Sequence, residues 1–588
     1  MPPTDPTLSP SARSKGPRLR WRILAAVVAA LALVWVQRVV SQWVDRTGAF
    51  ISLLAVVVTV LLLLEWVLER ALPGLWRLAH SLALSFGRAF AADGEVRRIA
   101  ERYPRVTGWL RRRTTFDSPS GFYLSAIVVA AGYFFATFLS IAEDLVTSSA
   151  IVRFDPQLTA LLRVFRTPVL TRLLWVFTVL GDPRVATLLT VLAVGLLLMW
   201  GRRAEAWLVG LTVAGGSAVG ALAKLAFHRP RPPVRFALIT EPSSFSFPSG
   251  HALYSLVFFG VLAFVLVRLS RRLGWRLLIL GAATLAVLLV GLSRVYLGVH
   301  WPSDVIASWS LAATVLTVTC GLYLSRARYR PRGAGSPVGT RTVRVVASVA
   351  IALAAVLGVA YGAVHDPLLS VIAAPAPTRA WTALPDAGGA PAPTTAEVAQ
   401  LPRYSETLDG SPQNPIGLVF VGSETQLMGA YRTAGWSVAD KVGLAALVRT
   451  VVAASANQPY ATAPVTPTFM GGRVQDVAFE KPEGQATVRR RHHVRWWMTD
   501  LTWQGRPVWV ATASFDSRLE IGSAIPLPTH HIDPDIDAEQ AFEVRDLAAT
   551  GLVRVATRVR VAPPSTGTDA QGDAWFTQGM ATLLVPAR

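Results

Sequence analysis

Apolar residues in this chain gather into nine runs near the length a helix needs to cross the hydrocarbon of a bilayer. They cover about residues 23–42, 50–68, 121–142, 183–200, 206–227, 251–269, 276–294, 303–324 and 343–363. Polar, arginine-rich stretches separate them, so the pattern predicts a polytopic helical bundle. The segment 155–180 differs: apolar and basic positions mix at helical spacing, which predicts an amphipathic helix lying along the membrane interface.

Beyond the last run the pattern changes. Residues 374–398 are rich in Ala, Pro, Gly and Thr and read as a linker. From about residue 400 shorter patterns take over. Leu418 to Val421 has the look of a buried strand, and Ser423 with Gln426 forms a capping box that opens a helix ending near Gly435. Ser437 is placed to cap a further helix through Val452. Alternating patterns then predict strands at Val488 to Trp497, at Leu501 to Trp503 turning at Gln504-Gly505 into Val508 to Ala513, and at Val553 to Val561. The predicted fold class is mainly α, a membrane helical bundle carrying a soluble α+β domain. Its expected parts are a basic tail (1–20), a two-span region (21–115), a central membrane domain (116–330), a ninth span (340–364), the linker (365–399) and the C-terminal domain (400–588).

Composition agrees. The chain is 52% hydrophobic and only 16% charged, low for a soluble protein. Its net charge of +21 need not mean nucleic acid, because the arginines sit in loops between apolar runs, as cytoplasmic loops of membrane proteins do. With every run crossing once, the basic loops and the N-terminus fall on the cytoplasmic side. The C-terminal domain falls on the other, outside a plasma (inner) membrane. The single cysteine, Cys320, excludes a disulfide framework and a Cys-based metal site.

Three short polar stretches break the pattern, all on the non-cytoplasmic side. They run from Lys224 to Pro232, from Pro248 to His251 and from Ser293 to Asp304. Phosphoryl transfer needs positioning and positive charge around the equatorial oxygens. Lys224, one of only four lysines, and Arg231 can reach one point from a span end and its loop. Arg229-Pro230 is a competing pair two residues short of that spacing. Ser249 and Gly250 offer a hydroxyl and free N–H groups where a span begins, and His251 stands beside them to protonate a leaving oxygen. His300 and Asp304, four apart, share a helix face, so the carboxylate can fix the imidazole tautomer and leave the other nitrogen as nucleophile. Arg294 adds another phosphate ligand. Each residue alone also has an ordinary reading, as a snorkelling lysine, a helix start or a first-turn aspartate.

Together the stretches resemble the three signature motifs of the type 2 phosphatidic acid phosphatase (PAP2) superfamily, over about residues 121–325. The family also contains acid phosphatases and vanadium haloperoxidases. The resemblance implies phosphate binding by Lys224, Arg231, Ser249, Gly250 and Arg294, a phosphohistidine at His300, Asp304 as its orienting partner, His251 as acid, and neither metal nor cofactor. It implies a membrane lipid phosphate or pyrophosphate as substrate, of undecaprenyl diphosphate, phosphatidate or lipid A type. The C-terminal part, from Asn414 through His530-His531-Ile532-Asp533 and Ile536-Asp537, resembles the LssY C-terminal domain. The alternative is a membrane-anchored envelope protein whose C-terminal domain binds glycan or lipid. The basic strand containing His492 and His493 would then take an anionic glycan or lipid head group. A metal held by His492, His493, His530, His531, Asp533, Asp535 and Asp537 is the remaining possibility. The sequence leaves oligomeric state open.

Overall fold

The computed structural model describes residues 93–587, apart from 115–120, 148–149, 234–236, 240–243, 330–336, 351–381, 385–400, 442–445, 447–448, 451, 454–457, 485–489, 522–527 and 569–571; before 93 it describes residues 81 and 85. The expected tail, the spans at 23–42 and 50–68, most of the span at 343–363 and most of the linker lie outside the described residues; within the expected linker, Thr382–Ala383 form a strand and Leu384 is buried in a hydrophobic core.

Two short helices, α1 (Gly94–Arg102) and α2 (Pro104–Thr114), lead into the membrane part. This comprises α3 (Phe122–Thr147), α4 (Ala150–Val164), α5 (Pro168–Leu180), α6 (Pro183–Met199), α7 (Arg203–Phe227), α8 (Gly250–Leu269), α9 (Leu273–Tyr296) and α10 (Pro302–Tyr329). Helices α3, α7, α8, α9 and α10 are each long and apolar enough to span a bilayer. Val129, Tyr133, Leu211 and Leu222 on their outer faces are exposed among the described residues, an apolar belt that suits lipid. The chain is a multi-pass membrane protein. Inside, small residues let helices approach closely: a Cβ built on Gly216 would lie 2.9 Å from Val257, and one on Gly291 2.2 Å from Trp309.

The segment 155–180 is not one interfacial helix. It breaks at 165–167, where Thr167 caps the amide of Leu170 and Pro168 starts α5. Leu170, Leu174 and Trp175 of α5 are buried in a cluster with Leu289 and Tyr296 of α9. The expected span at 183–200 changes with it. A second cap-and-proline start, Asp182-Pro183, opens α6, and α5 and α6 are long and apolar enough to cross a bilayer only together, as a pair bent by 54°. The sequence reading ran two helices together because the mixed apolar and basic positions hid the break.

The C-terminal part is built on a nine-stranded sheet of order β12-β15-β4-β10-β9-β8-β5, with β1 added to β9 and β11 to β10. Its strands are β1 (Thr382–Ala383), β4 (Leu418–Val421), β5 (Ser437–Val438), β8 (Val477–Pro482), β9 (Arg491–Trp503), β10 (Arg506–Ile521), β11 (Pro528–Ile532), β12 (Val553–Arg560) and β15 (Met580–Pro586). Helices α11 (Glu424–Thr433) and α12 (Ile536–Ala549) accompany it. Alternation along the strands buries both faces. Phe420, Trp496 and Trp509 pack with Leu427 and Tyr431 of α11 and Leu547 of α12, while Val419, Val421, Trp497 and Val510 form a second core. The capping box at Ser423 and Gln426 is present, and Gln504 (φ 48°) and Gly505 (φ 71°) make the expected turn between β9 and β10. Ser437 is not a helix cap. It pairs with Glu480 across β5 and β8, and described helical positions resume only at residue 446. A smaller sheet joins β2 (Tyr404–Glu406), β3 (Pro412–Pro415), β6 (Phe469–Met470) and β7 (Arg473–Val474), and β13 (Ser565–Thr568) pairs with β14 (Ala574–Thr577).

Candidate active site

Helix α9 ends at Tyr296, and a tight turn through Gly298 (φ 79°) delivers His300 just ahead of α10. His300 is 2% exposed and Asp304 is fully buried. Asp304 Oδ2 lies 3.3 Å from His300 Nδ1 and accepts from Trp301 N (2.9 Å) and from the Ser246 hydroxyl. That carboxylate holds the proton on Nδ1, which leaves Nε2 with its lone pair. Arg231 Nη1 stands 3.1 Å from Nε2 and also donates to Val299 O (2.6 Å). Burial pushes the His300 imidazole down to about 3, against the pull of Asp304, so the ring is neutral at ordinary pH.

The other stretches arrive at the same place. Phe247, fully buried between Phe138 and Phe227, anchors the second one. Ser249 caps α8 without a side-chain bond to its amides, while its own N–H donates to Asp304 O (3.3 Å). Lys224 does not reach outward from the end of α7. It turns over the second stretch, donating to Phe245 O at 2.6 Å, and its Cε lies 3.9 Å from a Cβ built on Gly250. A Cβ built on Gly181 would sit 3.1 Å from that of His251, and Arg294 Nη1 donates to Thr178 three residues earlier (2.7 Å). His251 feels the charges of Arg294, His300, Arg231 and Lys224 together. Two buried donors here, Ser249 Oγ and Arg294 Nε, have no hydrogen-bond partner among the described residues. Guanidinium, ammonium, hydroxyl and helix-start N–H groups thus gather at the end of the bundle that holds His300, with Arg231 in contact with Nε2, a set that suits an anion with several oxygens.

Other residues of the site were not singled out from the sequence. Arg229, set aside for its spacing, donates to Asp304 Oδ1 and to Asp155 Oδ2, each at 2.6 Å, with its guanidinium over the Trp301 ring. Asp155 of α4 is fully buried and also accepts from Ser303 N (2.9 Å) and the Ser303 hydroxyl. Burial pushes the Asp155 carboxyl up from its usual range, against Arg229. A carboxylate inside an apolar and basic segment was the available signal, because it must find a cation. Beside this network a cavity of about 450 Å³ is lined by Leu145, Val146, Val152, Phe227, Pro230 and Trp301 among others.

Among the described residues, the polar side chains of the C-terminal domain form one buried network around Arg491, Asp516 and His493 and several separate pairs. Arg491 lies buried between Glu480 (2.8 Å) and Asp516 (2.9 Å), His492 meets Glu539 (2.8 Å), His493 meets Ser514 (2.7 Å) and His531 meets Asp573 (2.7 Å). Asp535 caps α12, and Asp537 accepts from Thr577 and from Gln578 N. Among the described residues no three potential metal ligands stand together. Arg491, His493 and Arg495 of the basic strand are buried and face the interior, while Arg490 beside them is exposed.

Comparison with known proteins places these features in context. The PAP2 superfamily model matches residues 205–328, and the model described as LssY C-terminus matches residues 398–581. Phosphatidylglycerophosphatase B of Bacillus subtilis is 38% identical over 101 residues, which are 16% of this chain and 48% of that one, so the chain spans about half of that relative's length. The decaprenylphosphoryl-5-phosphoribose phosphatase of Mycobacterium tuberculosis is 34% identical over 140 residues, 22% of this chain and 69% of that protein. Among solved structures, the transmembrane PAP2 type phosphatidylglycerolphosphate phosphatase from Bacillus subtilis is 26% identical, with a TM-score of 0.30, covering 34% of this chain and 99% of the other. The chain belongs to the PAP2 superfamily and carries an LssY C-terminal domain.

Proposed function

We propose that this protein is a membrane-embedded lipid phosphatase working through a phosphohistidine. The observation that carries the reading is the poise of His300: Asp304 at Nδ1, Arg231 at Nε2, and unpartnered donors of Ser249 and Arg294 nearby. In the proposed reaction Nε2 attacks phosphorus and the bond from phosphorus to the lipid oxygen breaks. His251 gives that oxygen a proton. Arg231, Lys224, Arg294, Ser249 and the N–H groups at Gly250 hold the three equatorial oxygens as charge spreads over them. Water, losing a proton to His251, then attacks the phosphohistidine and frees phosphate.

The two named relatives act, by their names, on a phosphatidylglycerol phosphate and on a decaprenylphosphoryl-phosphoribose phosphate. Both are phosphates on membrane lipids, which supports a lipid monophosphate or pyrophosphate here, of undecaprenyl diphosphate, phosphatidate or lipid A type. The arginine-rich loops favour an active site and C-terminal domain on the extracytoplasmic side of the inner membrane. Phosphate release by the detergent-solubilised chain, screened over these lipids, tests the proposal. Turnover is expected to survive EDTA and to vanish in His300→Ala; dependence on a divalent metal, or an active His300→Ala, would sink it.

A further inference from the structure

Helix α4 faces two ways. Its inner side carries Asp155, whose two oxygens take Arg229 Nη2 at 2.6 Å, Ser303 N at 2.9 Å and the Ser303 hydroxyl. Arg229 is thereby shared between Asp155 and Asp304, with Nη1 on Asp304 Oδ1 at 2.6 Å and on Ser303 Oγ at 2.7 Å. Ser303 and Asp304 form the first turn of α10, so Asp155 also satisfies one of the amides that a helix start leaves unpaired. Asp155 is fully buried, and it is Arg229 and Ser303 that connect it to the pair of His300 and Asp304.

The outer side of the same helix meets the C-terminal domain. Two residues past Asp155, Gln157 donates to Glu406 Oε2 of β2 at 2.6 Å. Arg163 donates to Gly472 O at 2.9 Å in the β6–β7 turn. Gly472 has φ +70°, and a Cβ there would come within 2.7 Å of the Pro156 ring. At Gly410 a Cβ would meet the Arg153 backbone oxygen at 3.2 Å. The small sheet of the C-terminal domain thus grips α4 on either side of the residue that anchors the nucleophile's carboxylate.

We propose that Asp155 is a positioning residue of the phosphatase site, acting through Arg229 on Asp304, and that the C-terminal domain keeps it in place by clasping α4 at Gln157 and Arg163. The inference rests on the phosphatase reading above. It gives the LssY C-terminal domain a role: it braces the membrane active site from outside. A guanidinium between two carboxylates has a fixed orientation, and Asp304 then presents Oδ2 to His300 Nδ1 in one geometry. Neutralising Asp155 leaves Arg229 with a single carboxylate and frees it to turn, and the imidazole loses its fixed tautomer and aim.

The test uses the full chain in detergent, with phosphate release from the lipid found in the screen and His300→Ala as the inactive reference. Asp155→Asn, which keeps the shape and removes the charge, should lower kcat about 100-fold with KM little changed, the size of effect expected from misplacing a reacting group by about 1 Å. Combined with Arg229→Gln it should cost no more than the worse single change, because both act on one link. Glu406→Leu, in the C-terminal domain, should lower kcat several-fold, again without raising KM. A wild-type rate for Asp155→Asn beside a dead His300→Ala would overturn the inference and leave the phosphatase reading standing. So would a change in KM alone, or full additivity with Arg229→Gln. An active His300→Ala would instead remove the phosphatase reading. Where Asp155→Asn does not yield folded protein, Glu406→Leu decides: an unchanged kcat overturns the proposal.

Discussion

Asp304 is the residue on which the site turns. Its Oδ1 takes Arg229, and its Oδ2 takes Trp301 N and the Ser246 hydroxyl as well as His300 Nδ1. A buried carboxylate held by this many donors is fixed in place, which an imidazole proposed as nucleophile needs behind it. Spacing in the sequence was enough to pair His300 with Asp304, although His300 lies in the turn ahead of α10 and Asp304 reaches back to it from the first helical turn. Spacing also set Arg231 apart from Arg229, but it left Arg229 without a role. Two arginines two residues apart in an extended loop leave on different sides: Arg231 reaches His300 Nε2, while Arg229 reaches Asp155 and Asp304. Asp155 itself was illegible as a partner, since nothing local ties residue 155 to residue 304. Lys224 also departs from the snorkelling expected of a lone lysine at a span end, because Phe245 O is close enough to hold it.

Among the elements, the long spans were readable because an apolar run of that length has few other fates in a chain this poor in charge. The break between α4 and α5 was not, although Thr167-Pro168 is a helix start in plain view. The surrounding mixture of apolar and basic residues looked like one amphipathic face, whereas it is two helices burying different sides. Close helix packing was equally hidden, since a glycine in an apolar run is equally at home facing lipid. Gly291 shows what is at stake: its Cα faces Trp309 and Val305 of α10, three residues before Arg294. Gly291→Ala should force α9 and α10 apart, costing about 1–3 kcal/mol in overpacking and lowering kcat by moving Arg294 relative to Asp304. Gly281→Ala, with no described residue within 4 Å of the new methyl, should leave both activity and thermal inactivation unchanged. Equal behaviour of the two variants would show that the α9–α10 spacing does not set the site.

At the scale of the whole molecule, the chain joins a membrane bundle to a sheet-based domain that docks beside the active site, through Gln157, Arg163 and the loops at Gly410 and Gly472. Pattern and composition separated the two parts but could not bring them into contact, since docking depends on side chains some 250 to 310 positions apart in the chain. The proposed sidedness gives a prediction at this scale. In a Cys320→Ala background, a membrane-impermeant maleimide applied to intact cells should label Arg506→Cys at the start of β10, and should label Arg271→Cys, between α8 and α9, only after permeabilisation; the reverse pattern would invert the topology. The central claim, that the converged stretches form a phosphatase whose nucleophile is His300, is tested most directly by trapping the covalent intermediate. The full chain is mixed with a lipid carrying labelled terminal phosphate and quenched in alkali, and the label is located by peptide mapping. The account predicts an acid-labile, base-stable phosphohistidine at His300 that is absent from His300→Ala. Label on another residue, or phosphate released at full rate with no labelled protein at any time, would contradict it.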